Sequence, residues 1–123
     1  WRGEYFTNRY LQGNPSLVRQ DPLINFDWST GSPNPKITRD RFSVRWTRYT
    51  YLIKGRYKIR VRHDDGMRIL VNNDLIYSSW YDQAPTNKAF EVNLEEGYHT
   101  FVVEYYDHLG DAVAQVDVFG ENN

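Results

Sequence analysis

Asp64 and Asp65 are adjacent carboxylates followed by Gly66, set between two stretches that alternate apolar and polar residues. Two like charges side by side repel unless water or a cation screens them. Calcium takes about six to eight oxygen ligands in flexible geometry, so such a pair can begin a cation site. The same tripeptide is also good turn chemistry, with Asp capping backbone N–H groups and Gly supplying positive φ. In the turn reading, Arg60 to Val71 is a strand, a tight turn and a returning strand. Both readings stand at this level.

Other chemistry is poorly represented. Asp64 and Asp65 are too close in sequence to flank a glycosidic bond as acid and base. The chain has no cysteine, which excludes disulfides and thiolate metal sites. It has no Gly-x-Ser-x-Gly elbow and no phosphate loop. His63, His99 and His108 lack zinc spacing and read as structural or surface residues. The expectation is a protein that is not an enzyme.

The elements that must hold these residues are strands. Ile24 to Trp28, Phe42 to Trp46, Tyr57 to Val61, Met67 to Val71, Ala89 to Leu94 and Tyr98 to Tyr106 all show period-two patterning. Turn clusters separate them: Leu11 to Ser16, Ser29 to Pro35, Lys54-Gly55, Asn72-Asn73-Asp74, Ser78 to Asn87, Glu95-Glu96-Gly97 and Asp107 to Asp111. After Thr47 the apolar phase slips to Tyr49, Tyr51 and Ile53, which predicts a bulge or a crossing between sheets. Lys58, Arg60 and Arg62 form a basic face, expected to be solvated and to pair with carboxylates on a neighbouring strand. Glu104 is expected to face an Arg of a neighbouring strand. Short strands with regular turns predict an all-β antiparallel sandwich or barrel.

At 123 residues the chain reads as a single domain, 1–123, large enough to bury a core without a staple. A formal net charge of -1 gives no basic field, so no nucleic acid is expected as a partner. No apolar run approaches the roughly 20 residues of a membrane helix, so no membrane insertion is expected. Trp1-Arg2-Gly3-Glu4 lacks an apolar signal region, and the chain reads as an excised or processed module.

Several segments then match a known pattern in order. Trp1 to Asn8 with Leu11-Gln12-Gly13, Val18 to Asp21, Phe26-Asp27-Trp28, Asp40 to Thr47, and Gly55-Arg56-Tyr57 followed by Asp64 to Ile69 resemble PA14 domains. Trp80, Gly97-Tyr98-His99 and Glu104-Tyr105-Tyr106 extend the resemblance along nearly the whole chain.

The resemblance implies a PA14 fold, an antiparallel β-sandwich often described as barrel-like. It implies a module of a larger secreted or cell-surface protein, hence extracellular, covalently linked to other modules and monomeric as an isolated domain. Some members bind carbohydrate through Ca2+, held by an Asp pair joined through a cis peptide and by an Asn from a later loop. Asp64 and Asp65 match the pair. Asp107 falls where the Asn stands, keeping an oxygen ligand and adding a charge. The implied function is a calcium-dependent carbohydrate-binding, lectin-like module. Its metal ligands are Asp64, Asp65 and Asp107, and its sugar-binding set is Asp64, Asp65, His63, Trp80, Tyr81 and His108. The histidines flank the two Asp turns and can hydrogen-bond a sugar; the aromatics, Tyr106 among them, can stack on it. The alternative is a structural or protein-interaction module without a sugar ligand.

Overall fold

Alternation along each segment leads to two antiparallel sheets packed face to face, with no helix among the described residues. The computed structural model describes residues 1–120; the expected domain's last residues, 121–123, lie outside them. The strands are β1 (Arg2–Phe6), β2 (Leu17–Gln20), β3 (Ile24–Ser29), β4 (Phe42–Leu52), β5 (Gly55–Asp64), β6 (Gly66–Val71), β7 (Asp74–Ser79), β8 (Thr86–Leu94), β9 (Gly97–Asp107) and β10 (Ala112–Gly120). The large sheet runs β2-β1-β4-β9-β6-β7 and the small sheet β3-β10-β5-β8. The expected antiparallel sandwich is the observed fold.

Inward-facing residues of both sheets meet in one core that includes Tyr5, Phe42, Val44, Trp46, Ile59, Met67, Ile69, Val103 and Tyr105. Much of the aromatic content is spent here. Phe26 stacks on Trp28 at 4.8 Å and on Trp46 at 6.0 Å, and Trp46 meets Tyr5 edge-on at 6.1 Å. Polar tips at the core margin converge on buried Asp21. It accepts from Tyr5 Oη at 2.5 Å, Arg19 Nε at 2.8 Å and Trp46 Nε1 at 2.9 Å. Buried polar atoms need such partners, and here one carboxylate serves three donors.

Three expectations change. β4 does not slip: it pairs with β9 in unbroken register from Phe42↔Asp107 to Leu52↔Gly97. Leu52 packs on the core, so the core face keeps its phase. Tyr49, Tyr51 and Ile53 point outward, with Tyr49 68% exposed. Tyr49 stacks on Tyr98 at 4.9 Å and Tyr51 meets Tyr98 edge-on at 5.3 Å, so the alternation that looked apolar is an outer tyrosine cluster. Next, Asp64-Asp65-Gly66 does not close a hairpin. β5 belongs to the small sheet and β6 to the large one, so the chain crosses between sheets there. Gly66 is needed for close approach and not for positive φ: a Cβ there would clash with the Tyr106 ring, 2.2 Å from its Cε1. By contrast, Asn72 (φ 52) and Asn73 (φ 70) do make the tight hairpin turn that their tolerance of positive φ predicts.

Candidate metal centre

The crossing from β5 to β6 lies beside the end of β9, and this brings Asp64, Asp65 and Asp107 together. All three are buried, and each offers a carboxylate oxygen within 4.8 Å of the others. The Asp64–Asp65 peptide bond is cis. Neighbouring backbone fixes the pair: the Asp65 N–H donates to Tyr106 O at 3.2 Å, and Tyr105 Oη donates to Asp64 O at 2.5 Å.

The three carboxylates have different surroundings. Asp65 Oδ1 accepts from the Gln83 N–H at 3.0 Å and Oδ2 from the His108 N–H at 2.8 Å. The loop after β7 and the turn after β9 are thus both tied to Asp65. Asp107 is 0% exposed, and neither of its carboxylate oxygens has a hydrogen-bond partner. A buried carboxylate without partners is costly. Burial, with the negative charges of Asp65, Asp40 and Asp64, pushes the Asp107 carboxyl up to about 8. Burial, with the charges of Asp65 and Asp111, pushes Asp64 up to about 7. No cationic side chain counters the cluster in any of these contacts. Three convergent carboxylates with two orphaned oxygens are a donor set that fits a hard divalent cation, which the charge, hardness and crowding of oxygen all favour.

Beside the cluster lies an open hollow of about 540 Å³, lined by Arg9, Tyr10, Trp80, Tyr81, Asp82 and Tyr106. Tyr106 Oη donates to Asp82 Oδ1 at 2.7 Å, and His108 Nδ1 lies 2.6 Å from Asp82 Oδ2. These hydrogen bonds hold the Asp82 carboxyl below its ordinary value. Trp80 is half-buried, edge-on to Tyr106 at 4.8 Å and under the Arg68 guanidinium at 4.0 Å. Tyr81 is 61% exposed.

The structure therefore groups Asp64, Asp65 and Asp107, sets Trp80 and Tyr81 on the wall of the adjoining hollow, and places His108 against Asp82 of that wall. His63 is a correction. It is fully buried, and burial lowers its pKa. Its Nδ1–H donates to Asp65 O at 2.7 Å and its Nε2 accepts from Tyr77 Oη at 2.7 Å, the one neutral tautomer that satisfies both contacts. It supports the Asp65 backbone from inside and cannot reach a sugar. Sequence reasoning singled out neither Asp82 nor Arg9 and Tyr10. Asp82 and His108 stand 26 residues apart, and only the fold makes them neighbours.

The comparisons agree with this architecture. The family model "PA14 domain" matches residues 2–120. The anti-sigma-I factor RsgI3 of Acetivibrio thermocellus is 36% identical over 121 residues, which cover 94% of this chain and 18% of that protein. A solved structure described as an anti-sigma factor domain-containing protein is 32% identical with a TM-score of 0.90, covering 98% of this chain and 42% of that one. A PA14 sugar-binding domain from an RTX adhesin shares the fold at 20% identity and a TM-score of 0.83, covering 99% of this chain and 90% of that one. The chain thus spans less than half the length of either of the first two. With the match running from β1 to the end of β10, the chain belongs to the PA14 domain family.

Proposed function

We propose that the chain is a non-catalytic carbohydrate-binding module, calcium-dependent, that works as one part of a longer secreted or cell-surface protein. The observation that carries this reading is Asp107: buried, unpartnered at both oxygens, and placed against two further carboxylates. Asp64, Asp65 and Asp107 hold the ion, and Asp65 also anchors the loop and turn that border the hollow. Calcium, when bound, supplies coordination positions for vicinal sugar hydroxyls. Trp80, Tyr81 and Tyr106 give the sugar's C–H face an aromatic wall, and Asp82 and His108 offer polar contacts at its edge.

The test is thermal melting and calorimetric sugar titration, each with calcium and with chelator. Calcium bound only by the folded state raises the midpoint, by roughly 2.7 kcal/mol of stability at 100 times Kd. Asp65→Ala should abolish that rise. Absence of sugar binding in either condition sinks the carbohydrate reading. A second reading, a protein-contact module, is favoured by the outward cluster of Tyr49, Tyr98 and Tyr51. It predicts a calcium rise, or none, with no sugar binding at all.

A further inference from the structure

Another surface lies on the outer face of the small sheet. The strand registers set Asn25 of β3 opposite Gln115 of β10, Gln115 opposite Arg62 of β5, and Arg62 opposite Asn87 of β8. These four residues form one row across every strand of the sheet. Three gaps of strand spacing make the row about 14 Å long. Asp117 and Arg60 face each other in the next row. Together with Leu23 they border an open groove of about 400 Å³.

Alternation along β5 buries Tyr57, Ile59 and Val61 and turns Arg60 and Arg62 outward. The expected pairing of Lys58, Arg60 and Arg62 with carboxylates on a neighbouring strand is not made: among the described residues none of the three has an ion-pair partner, and the ion pair on this face belongs to Arg56. Arg56 reaches Glu91 at 3.7 Å. Arg60 lies over the Phe119 ring at 5.1 Å. Among the described residues Arg62 has no hydrogen-bond or ion-pair partner, and neither do the side chains of Asn25, Asn87 and Gln115. Two guanidinium groups against the Asp117 carboxylate leave the groove with one net positive charge.

The chemistry of the row is specific. A guanidinium fork matches a carboxylate with two parallel N–H···O bonds. A side-chain amide presents donor and acceptor together, as a sugar hydroxyl does. Leu23, 67% exposed, adds an apolar contact at one end. An extended peptide would pair with backbone at a sheet edge. This row crosses the sheet face, where only side chains are offered. We propose that the groove binds a uronate-bearing oligosaccharide laid across the four strands, its carboxylates on Arg60 and Arg62 and its hydroxyls on Asn25, Gln115 and Asn87, without calcium. The surface shares β5 with the carboxylate cluster, Arg62 lying two residues before Asp64, but contains none of the three clustered carboxylates. It does not rest on the calcium reading.

The test is calorimetric titration in chelator with hexamers of mannuronate, glucuronate and galacturonate, and with the neutral hexamers of the parent sugars. At least one uronate hexamer binds, its neutral counterpart binds more weakly, and added salt weakens the uronate complex. Arg62→Gln lowers its affinity roughly tenfold. Asn87→Ala weakens it too. Arg62 and Asn87 are exposed, and melting curves check that the variants fold. The proposal is overturned if no uronate hexamer binds in chelator, or if both Arg62→Gln and Asn87→Ala bind as the parent does. It also falls if a polyglutamate peptide binds as tightly as the best uronate, since the groove would then read charge alone. Titrations in calcium test the other site separately.

Discussion

Replacing Asp107 by Asn should stabilise the cation-free protein and diminish its response to calcium. The carboxyl is wholly buried and pushed up to about 8, against an ordinary Asp value near 4 in the unfolded chain. At about pH 7.5 the unfolded chain carries the ionised form, while the folded, cation-free chain must take up a proton. That uptake costs about 1.36 kcal/mol for each unit between the ordinary value and the working pH, or at most about 5 kcal/mol. Asn carries no such cost, and its amide can donate to the carboxylates beside it. Allowing for solvent reaching the cluster, a net gain of about 2–4 kcal/mol is expected, or a midpoint rise of order 10 °C. The sign with pH follows from the raised value. The parent's contribution from this group is fully present below about pH 4 and is lost as pH rises through about 8. Melts in chelator from acid to alkaline pH should therefore diverge, the variant gaining most on the alkaline side. In excess calcium the order narrows or reverses, because Asn keeps one oxygen ligand but gives up the charge. A variant that melts at or below the parent in chelator near pH 7.5 would refute the account of Asp107 as an uncompensated carboxylate.

Three further changes probe the surroundings. Glu104 lies directly between Arg45 and Arg68 in the register and accepts from both, at 2.9 and 2.6 Å; Glu104→Gln should cost about 1–3 kcal/mol by chemical denaturation. Asp21→Ala leaves Tyr5, Trp46 and Arg19 without their shared acceptor and should cost about 3–5 kcal/mol, measured the same way. Gly66→Ala drives a methyl into the Tyr106 ring and should cost about 1–3 kcal/mol while weakening calcium binding, read by titration, because Tyr106 holds both the Asp65 N–H and the Asp82 carboxylate.

Local alternation made most strands legible, since β5, β6 and β9 bury every second residue for much of their length and β8 half-buries alternate residues from Phe90 to Leu94. It failed at Tyr49, Tyr51 and Ile53, because an exposed tyrosine has the same apolar signature as a buried one until its partner strand is known. It also could not tell a hairpin from a crossing at Asp64-Asp65-Gly66, as sheet membership is decided by pairing far along the chain. Asp107 was found through the family pattern. Nothing in Tyr106-Asp107-His108 by itself says that the carboxylate turns inward without a partner. His63 was misplaced for a related reason. A histidine beside two carboxylates looks like a surface contact, yet its odd position in β5 points it into the core, with Tyr57, Ile59 and Val61.

The placement of the chain's ends matters mechanically. β1 lies in the large sheet and β10 in the small one, so tension applied through the two ends pulls on different sheets. Among the described residues no strand-to-strand ladder joins those sheets; the load passes through core contacts and the segments that cross between them. The carboxylate cluster sits on one such crossing, with Asp64 leaving the small sheet and Asp107 ending a strand of the large one. An ion gripped there would act as a rivet between the layers, and the force the module withstands would depend on the calcium around it.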